Sequence, residues 1–265
     1  MDSTFTPSHR GGSGSPLVLI HGFTDSWRGW ELVLDKLESR HDVLAVTLPG
    51  HAGGPPLDGL PTDALMPDAV EEAMDEAGFE RAHLVGNSLG GYVALQLAAR
   101  GRAQDVVALA PAGGLPPDDA RTRETLEYFK SMHGMVKAAA PHADTLFVTA
   151  PGKRQATLMT AVRYEHIPAE LLAHQLRASA ECAALPLLDF ALASGWQLDA
   201  GAIDCPLRFV WGTEDKLLPW PQAAARYRDE LFPTADWVVL DDVGHCPQLD
   251  IPLETAELIL GFTSG

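Results

Sequence analysis

The stretch Ala82-His83-Leu84-Val85-Gly86-Asn87-Ser88-Leu89-Gly90 decides the fold. Residues 82–85 form a short, mostly apolar run that reads as a strand. Leu89 to Arg100 reads as a helix, stopped at Gly101. Between them lies a G-x-S-x-G pentapeptide, Gly86 to Gly90. Chance alone gives that string about 0.1 times in a chain of this composition, so its weight comes from its place between a strand and a helix.

The same rhythm extends in both directions. Leu17-Val18-Leu19-Ile20 is a continuous apolar run, the signature of a strand covered on both faces in a parallel sheet. Trp27, Trp30, Leu34 and Leu37 follow at helical spacing, with Asp25 or Ser26 placed to cap. Residues 43–48 are a further strand, stopped at Pro49-Gly50, and 50–61 read as loop. Pro67 opens a helix that ends before Gly78. Residues 106–110 make a fourth strand. From 113 to 200 only helical patterns occur, among them Tyr128, Met132 and Met135, and a helix starting at Pro168. The rhythm resumes with a strand at 207–211, a helix after Pro221, a strand at 237–240 and a last helix after Pro252.

This alternation predicts an α/β fold with a doubly wound, mostly parallel sheet. The core would comprise residues 1–112 and 201–265, with a helical lid inserted at 113–200. Residues 8–15 read as a flexible loop, leaving room for one short edge strand or none before the first core strand.

The 265 residues carry 19 Lys and Arg against 36 Asp and Glu, a net charge of -17. Such acidity disfavours nucleic acid or an anionic membrane as partner, since both need a cationic patch. Cys182, Cys205 and Cys246 are scattered, and no CxxC or HExxH occurs, so no metal is implied. Sparse cysteine, a polar segment from Met1 to Gly14 and no apolar run near 18 residues predict a cytoplasmic protein.

A G-x-S-x-G in this setting has a chemical meaning. The serine sits on a sharp, strained turn that holds its hydroxyl clear of the sheet, beside the N–H groups of the following helix. The rival reading is a capping serine in a glycine turn. A serine hydroxyl needs a base, and the base needs an orienting acid. In a doubly wound sheet these belong on loops at the carboxyl ends of strands. Two loops offer them: Gly212-Thr213-Glu214-Asp215-Lys216 and Asp241-Asp242-Val243-Gly244-His245.

His21-Gly22-Phe23, Gly86 to Gly90, Gly212 to Asp215 and Gly244-His245-Cys246-Pro247 together resemble the α/β-hydrolase superfamily, over residues 17 to 262. The resemblance implies Ser88 as nucleophile, His245 as general base and then acid, and Asp215 as its orienter. It implies an oxyanion hole made by the backbone N–H groups of Phe23 and Leu89. Glu214, Asp118 and Asp119 are competing carboxylates. His21 is expected to brace the oxyanion loop, His51 and Cys246 to be structural, and Trp220 either to line the pocket or to pack. Tyr128, Phe129, Met132, Met135, Phe147, Leu158 and Met159 are candidates for an acyl pocket or for the core of the lid, and a methionine-rich lining would widen the substrate range.

A serine at 88 disfavours the epoxide hydrolases and haloalkane dehalogenases that resemble this fold but use aspartate there. The ring-cleavage C–C hydrolases share Gly-Asn-Ser, yet many carry Trp where this chain has Cys246. The resulting expectation is a serine hydrolase, without cofactor or metal, acting on a small-molecule carboxylic ester of small to medium size. C–C hydrolysis, thioester hydrolysis (with Arg121 or Arg123 as a phosphate seat) and ligand binding without turnover are the alternatives.

Overall fold

The computed structural model describes residues 5–57, 59–115 and 118–263, so Met1 to Thr4 of the polar leading segment lie outside the described residues. The chain alternates through β1 (Ser8–Gly12), β2 (Ser15–Ile20), α1 (Glu31–Glu38), β3 (His41–Val46), α2 (Leu65–Ala77), β4 (Ala82–Asn87), α3 (Leu89–Ala99) and β5 (Ala103–Leu109). Five helices follow with no strand between them among the described residues: α4 (Ala120–Ala139), α5 (Ala143–Leu146), α6 (Ala150–Thr157), α7 (Ala169–Glu181) and α8 (Pro186–Ser194). Then come β6 (Leu207–Gly212), β7 (Asp236–Leu240), α9 (Pro247–Asp250) and α10 (Pro252–Thr263).

The sheet runs in the order β1-β3-β2-β4-β5-β6-β7. Only the β1–β3 pair is antiparallel. Successive side chains of a strand point to opposite faces, and β2 shows the consequence. Val18 and Ile20 join a cluster with Val70 and Met74 of α2 and Val93 and Leu97 of α3. Leu17 and Leu19 join Val33 and Leu37 of α1 and Ile259 and Leu260 of α10 on the other face. The continuous apolar run therefore feeds two cores. Burying each such side chain contributes about 1.5–3 kcal/mol.

Residues 8–12 are a paired edge strand rather than a flexible loop. Their backbone pairs with β3 from Ser8 opposite Val46 to Gly12 opposite Asp42. Arg10 also reaches Asp42 at 2.7 Å, and His9 reaches Glu38 at 2.5 Å. Glycine- and serine-rich composition hides this strand, because partners 30 or more residues away along the chain supply its order. Among the described residues no helix is long and apolar enough to cross a membrane.

Candidate active site

The parallel strands β2, β4, β5, β6 and β7 present their carboxyl-end loops at one edge of the sheet, where ligands bind in open α/β sheets. At the tip of β4, Ser88 has φ 56° and ψ -116°, a left-handed backbone unusual for a residue with a Cβ. Its main chain is tied on both sides: Ser88 N–H donates to Leu109 O at 2.9 Å, and Ser88 O accepts from Ala112 N–H at 2.9 Å. The glycines two residues away allow the close approach. A Cβ on Gly86 would lie 2.1 Å from Gly90 O, and one on Gly90 would lie 2.1 Å from Ile20 O. The motif thus packs strand and helix at a spacing that no side chain at 86 or 90 permits, and strain at residue 88 is held by its surroundings.

Of the carboxylates in competition, Asp215 meets His245. Its Oδ2 lies 2.7 Å from His245 Nδ1, and both residues are buried. Oδ1 accepts from Leu217 N–H at 2.9 Å and Leu218 N–H at 2.8 Å, which fixes the carboxylate plane. A carboxylate facing Nδ1 keeps the ring proton there and leaves Nε2 as acceptor. Glu214 is exposed. Asp119 caps α4, accepting from Arg121 N–H at 2.8 Å, and takes no part.

Asn87, whose role the sequence leaves unassigned, joins the two halves of this arrangement. Its buried amide makes four hydrogen bonds. Nδ2 donates to Leu109 O at 3.1 Å and His245 O at 3.0 Å. Oδ1 accepts from Gln248 Nε2 at 3.1 Å and from the Cys246 thiol at 3.3 Å. The residue before Ser88 thereby grips the main chain of His245. Asp250 holds the same loop, its Oδ2 accepting from Gly244 N–H at 2.7 Å and Val162 N–H at 2.9 Å. Burial and the nearby carboxylates of Asp25, Asp215 and Asp250 push the Cys246 thiol up, so it stays protonated and packs rather than reacts. No sequence signal marks Gln248 or Asp250, whose partners, the Asn87 side-chain amide for the first and backbone N–H groups for the second, are brought in by the fold.

The loop after β2 passes beside the turn. A Cβ on Gly22 would lie 3.3 Å from Ser88 Cβ. His21 spans the loop base: Nδ1 donates to Gly22 O at 2.7 Å, and Nε2 accepts from Leu48 N–H at 3.0 Å. Burial, with His51 beside it, drives the His21 pKa well below its ordinary value, so the ring is neutral as this geometry requires. His51 is buried too, its pKa lowered by burial to about 4, with its ring edge-on to those of His21 and Phe23. Trp220 packs with Trp211 and Trp237 under Arg228 and does not line the cleft.

Just past this loop, Asp25 accepts from Ser26 N–H at 2.9 Å and from Gln175 Nε2 of α7 at 3.3 and 3.2 Å. Burial raises its pKa from 3.8 to about 6. The folded protein therefore holds this proton more tightly than the unfolded chain. The resulting stabilisation is full below pH 4 and lost as pH rises through about 6. The span amounts to at most about 3 kcal/mol. Asp25→Asn should accordingly raise Tm by several degrees at pH 8 and by little at pH 4, read by thermal denaturation; an equal Tm at pH 8 would refute it.

An apolar cleft opens at Ser88, enclosing about 670 Å³ of unfilled space, part of it open to solvent. Phe23 and Leu89 line it beside Ser88, Leu126 and Phe129 line it from α4, Leu188 from α8, and Trp196 from the segment after α8. Of the seven residues singled out for a pocket, only Phe129 takes part, its ring edge-on to Phe23 at 5.2 Å. Met135 is 60% exposed and Leu158 42%, while Phe147 packs into a separate core with Ile167 and Leu171. Among the described lining residues no methionine occurs, so the expected adaptable methionine surface is absent from the cleft.

The chain matches the profile of the "Alpha/beta hydrolase family" over residues 17–258. It is 30% identical over 202 residues to "Epoxide hydrolase EphH" of Mycobacterium tuberculosis (strain ATCC 25618 / H37Rv), covering 76% of this chain and 94% of that protein. It is 29% identical to a "Pimeloyl-[acyl-carrier protein] methyl ester esterase" of Aromatoleum aromaticum, covering 94% and 98%. Among solved structures, a thermophilic esterase from Thermogutta terrifontis superposes with a TM-score of 0.69 at 20% identity, over 96% of this chain and 91% of that one.

Proposed function

Because the chain belongs to the alpha/beta hydrolase family, we propose that it is a serine hydrolase cleaving a carboxylic ester of small to medium size through an acyl-enzyme at Ser88. One observation carries this reading. The Asp215–His245 pair is locked at 2.7 Å, and the His245 carbonyl is held at 3.0 Å by Asn87, the neighbour of a strained Ser88.

Ser88 Oγ attacks the ester carbonyl while His245 takes its proton on Nε2. Asp215 keeps the opposite nitrogen protonated and stabilises the imidazolium that forms. The developing oxyanion is met by the N–H groups of Phe23 and Leu89. The latter is a first-turn helix donor with no intrahelical acceptor. His245 returns the proton to the leaving alcohol, then activates the water that releases the acid. No metal or cofactor enters these steps. Residues 113–200 serve as a lid over the core formed by 1–112 and 201–265, since residues from both line the cleft.

The esterase named above is a relative of near-equal length, which favours an ester over other substrates. The epoxide hydrolase relative is weighed against this by the residue at 88: opening an epoxide through a covalent ester requires a carboxylate nucleophile, and this chain has a hydroxyl there. We place the activity in the cytoplasm, in keeping with three unpaired cysteines.

A fluorophosphonate probe tests the reading. Incubation with the intact protein should add one phosphonyl group, located by peptide mass spectrometry on Ser88. Labelling elsewhere, or none, would defeat it.

A further inference from the structure

Among the described residues that line the cleft none is charged. Apart from Ser88, the side-chain hydroxyls are those of Thr122 and Thr125 on α4, and Thr125 already donates to Leu217 O at 3.1 Å. Arg226 bonds to the wall from outside the lining. Its guanidinium donates to Gly113 O at 3.1 Å and Trp196 O at 3.3 Å, so it holds the main chain of two lining residues rather than lining the cleft itself. Trp196 is fixed further by the ring of Tyr92 at 4.9 Å. Tyr92 OH in turn donates to Gln197 O at 2.5 Å.

A carboxylate carried into such a space loses its water and meets no counter-charge, and the penalty for that exceeds any gain from apolar contact. An alkyl or aryl group gains from every contact with Leu126, Phe129, Leu188 and Leu218. Resting on the reading of Ser88 as nucleophile, we propose that the cleft selects by charge: the organic group seated in it is neutral and apolar, and esters bearing a carboxylate on that group are rejected. The group is either the acid side or the alcohol side of the ester, and the experiment separates them.

Two matched pairs make the test at pH 8. On the acid side, 4-nitrophenyl pentanoate is compared with mono-(4-nitrophenyl) glutarate. On the alcohol side, phenyl acetate is compared with 4-carboxyphenyl acetate. The expected result is a kcat/KM at least about 100-fold lower for the carboxylate in one pair, which identifies the side that enters. Capping that carboxylate as its methyl ester should restore turnover to within about tenfold of the neutral partner. Equal kcat/KM within threefold in both pairs would overturn the charge selection and leave the serine hydrolase standing. No turnover of any neutral ester would remove both together.

Thr125→Lys supplies a second measurement. The ammonium retains a donor for Leu217 O and adds a cation to the wall. It should improve the carboxylate ester relative to its neutral partner by about tenfold or more. An unchanged ratio in a variant with wild-type Tm counts against the proposal.

Discussion

Replacing Ser88 by alanine is expected to lower the turnover of 4-nitrophenyl butyrate by about 10⁴- to 10⁶-fold while leaving the fold intact. The size follows from the chemistry. Without the hydroxyl no acyl-enzyme forms, and the remaining donors act only on a water attack that nothing has positioned. A drop of 10⁴ corresponds to about 5.4 kcal/mol of barrier. Stability should change little, because the main-chain bonds of Ser88 to Leu109 and Ala112 do not involve the side chain. Initial rates and a melting curve on the same preparation check both halves. Activity within tenfold of the parent protein would mean that another group performs the attack.

The second large effect is expected at Asp215. Asp215→Asn keeps the volume and can still accept from the N–H groups of Leu217 and Leu218 through its oxygen. Its amide nitrogen then faces His245 Nδ1 and donates to it. The ring proton is thereby moved to Nε2, and the imidazole can no longer accept from Ser88. We expect kcat to fall by about 10⁴-fold with KM changed far less, since the cleft that binds substrate is untouched. The exposed neighbour provides the control: Glu214→Gln should stay within about twofold. Comparable losses in the two variants would take Asp215 out of its assigned role.

The framework of this protein is legible along the chain because each of its signals is local. Apolar runs at 17–20 and 82–85 mark strands, and Gly78, with φ 79°, ends α2 by adopting a backbone that other residues resist. The glycines at 86 and 90 mark a place where strand and helix must nearly touch. The edge strand at 8–12 escapes such reading because its order comes from β3, whose paired residues are 30 to 38 positions away.

The inserted helices show the limit most clearly. Helix α4 carries two stripes at the same spacing, the apolar Tyr128-Met132-Met135 and the mostly apolar Thr122-Leu126-Phe129. Both fit a period of 3.6 residues, and periodicity cannot say which one turns inward. The second faces the cleft, and the first ends in an exposed Met135. That choice is made by the docking of α4 against α7, α8 and the loop at Phe23, which no property local to the helix encodes.

By itself, then, the sequence determined the strand–helix alternation, the bend at residue 88 and the two loops bearing Asp215 and His245, since each depends on residues within a few positions of one another. Tertiary structure alone decided which carboxylate meets the imidazole, that Asn87 and Asp250 hold its loop, and that the cleft's described lining is rich in leucine and carries no charge. Those outcomes depend on distances between groups as much as 161 residues apart along the chain, and such distances are set only when the sheet and the inserted helices pack together.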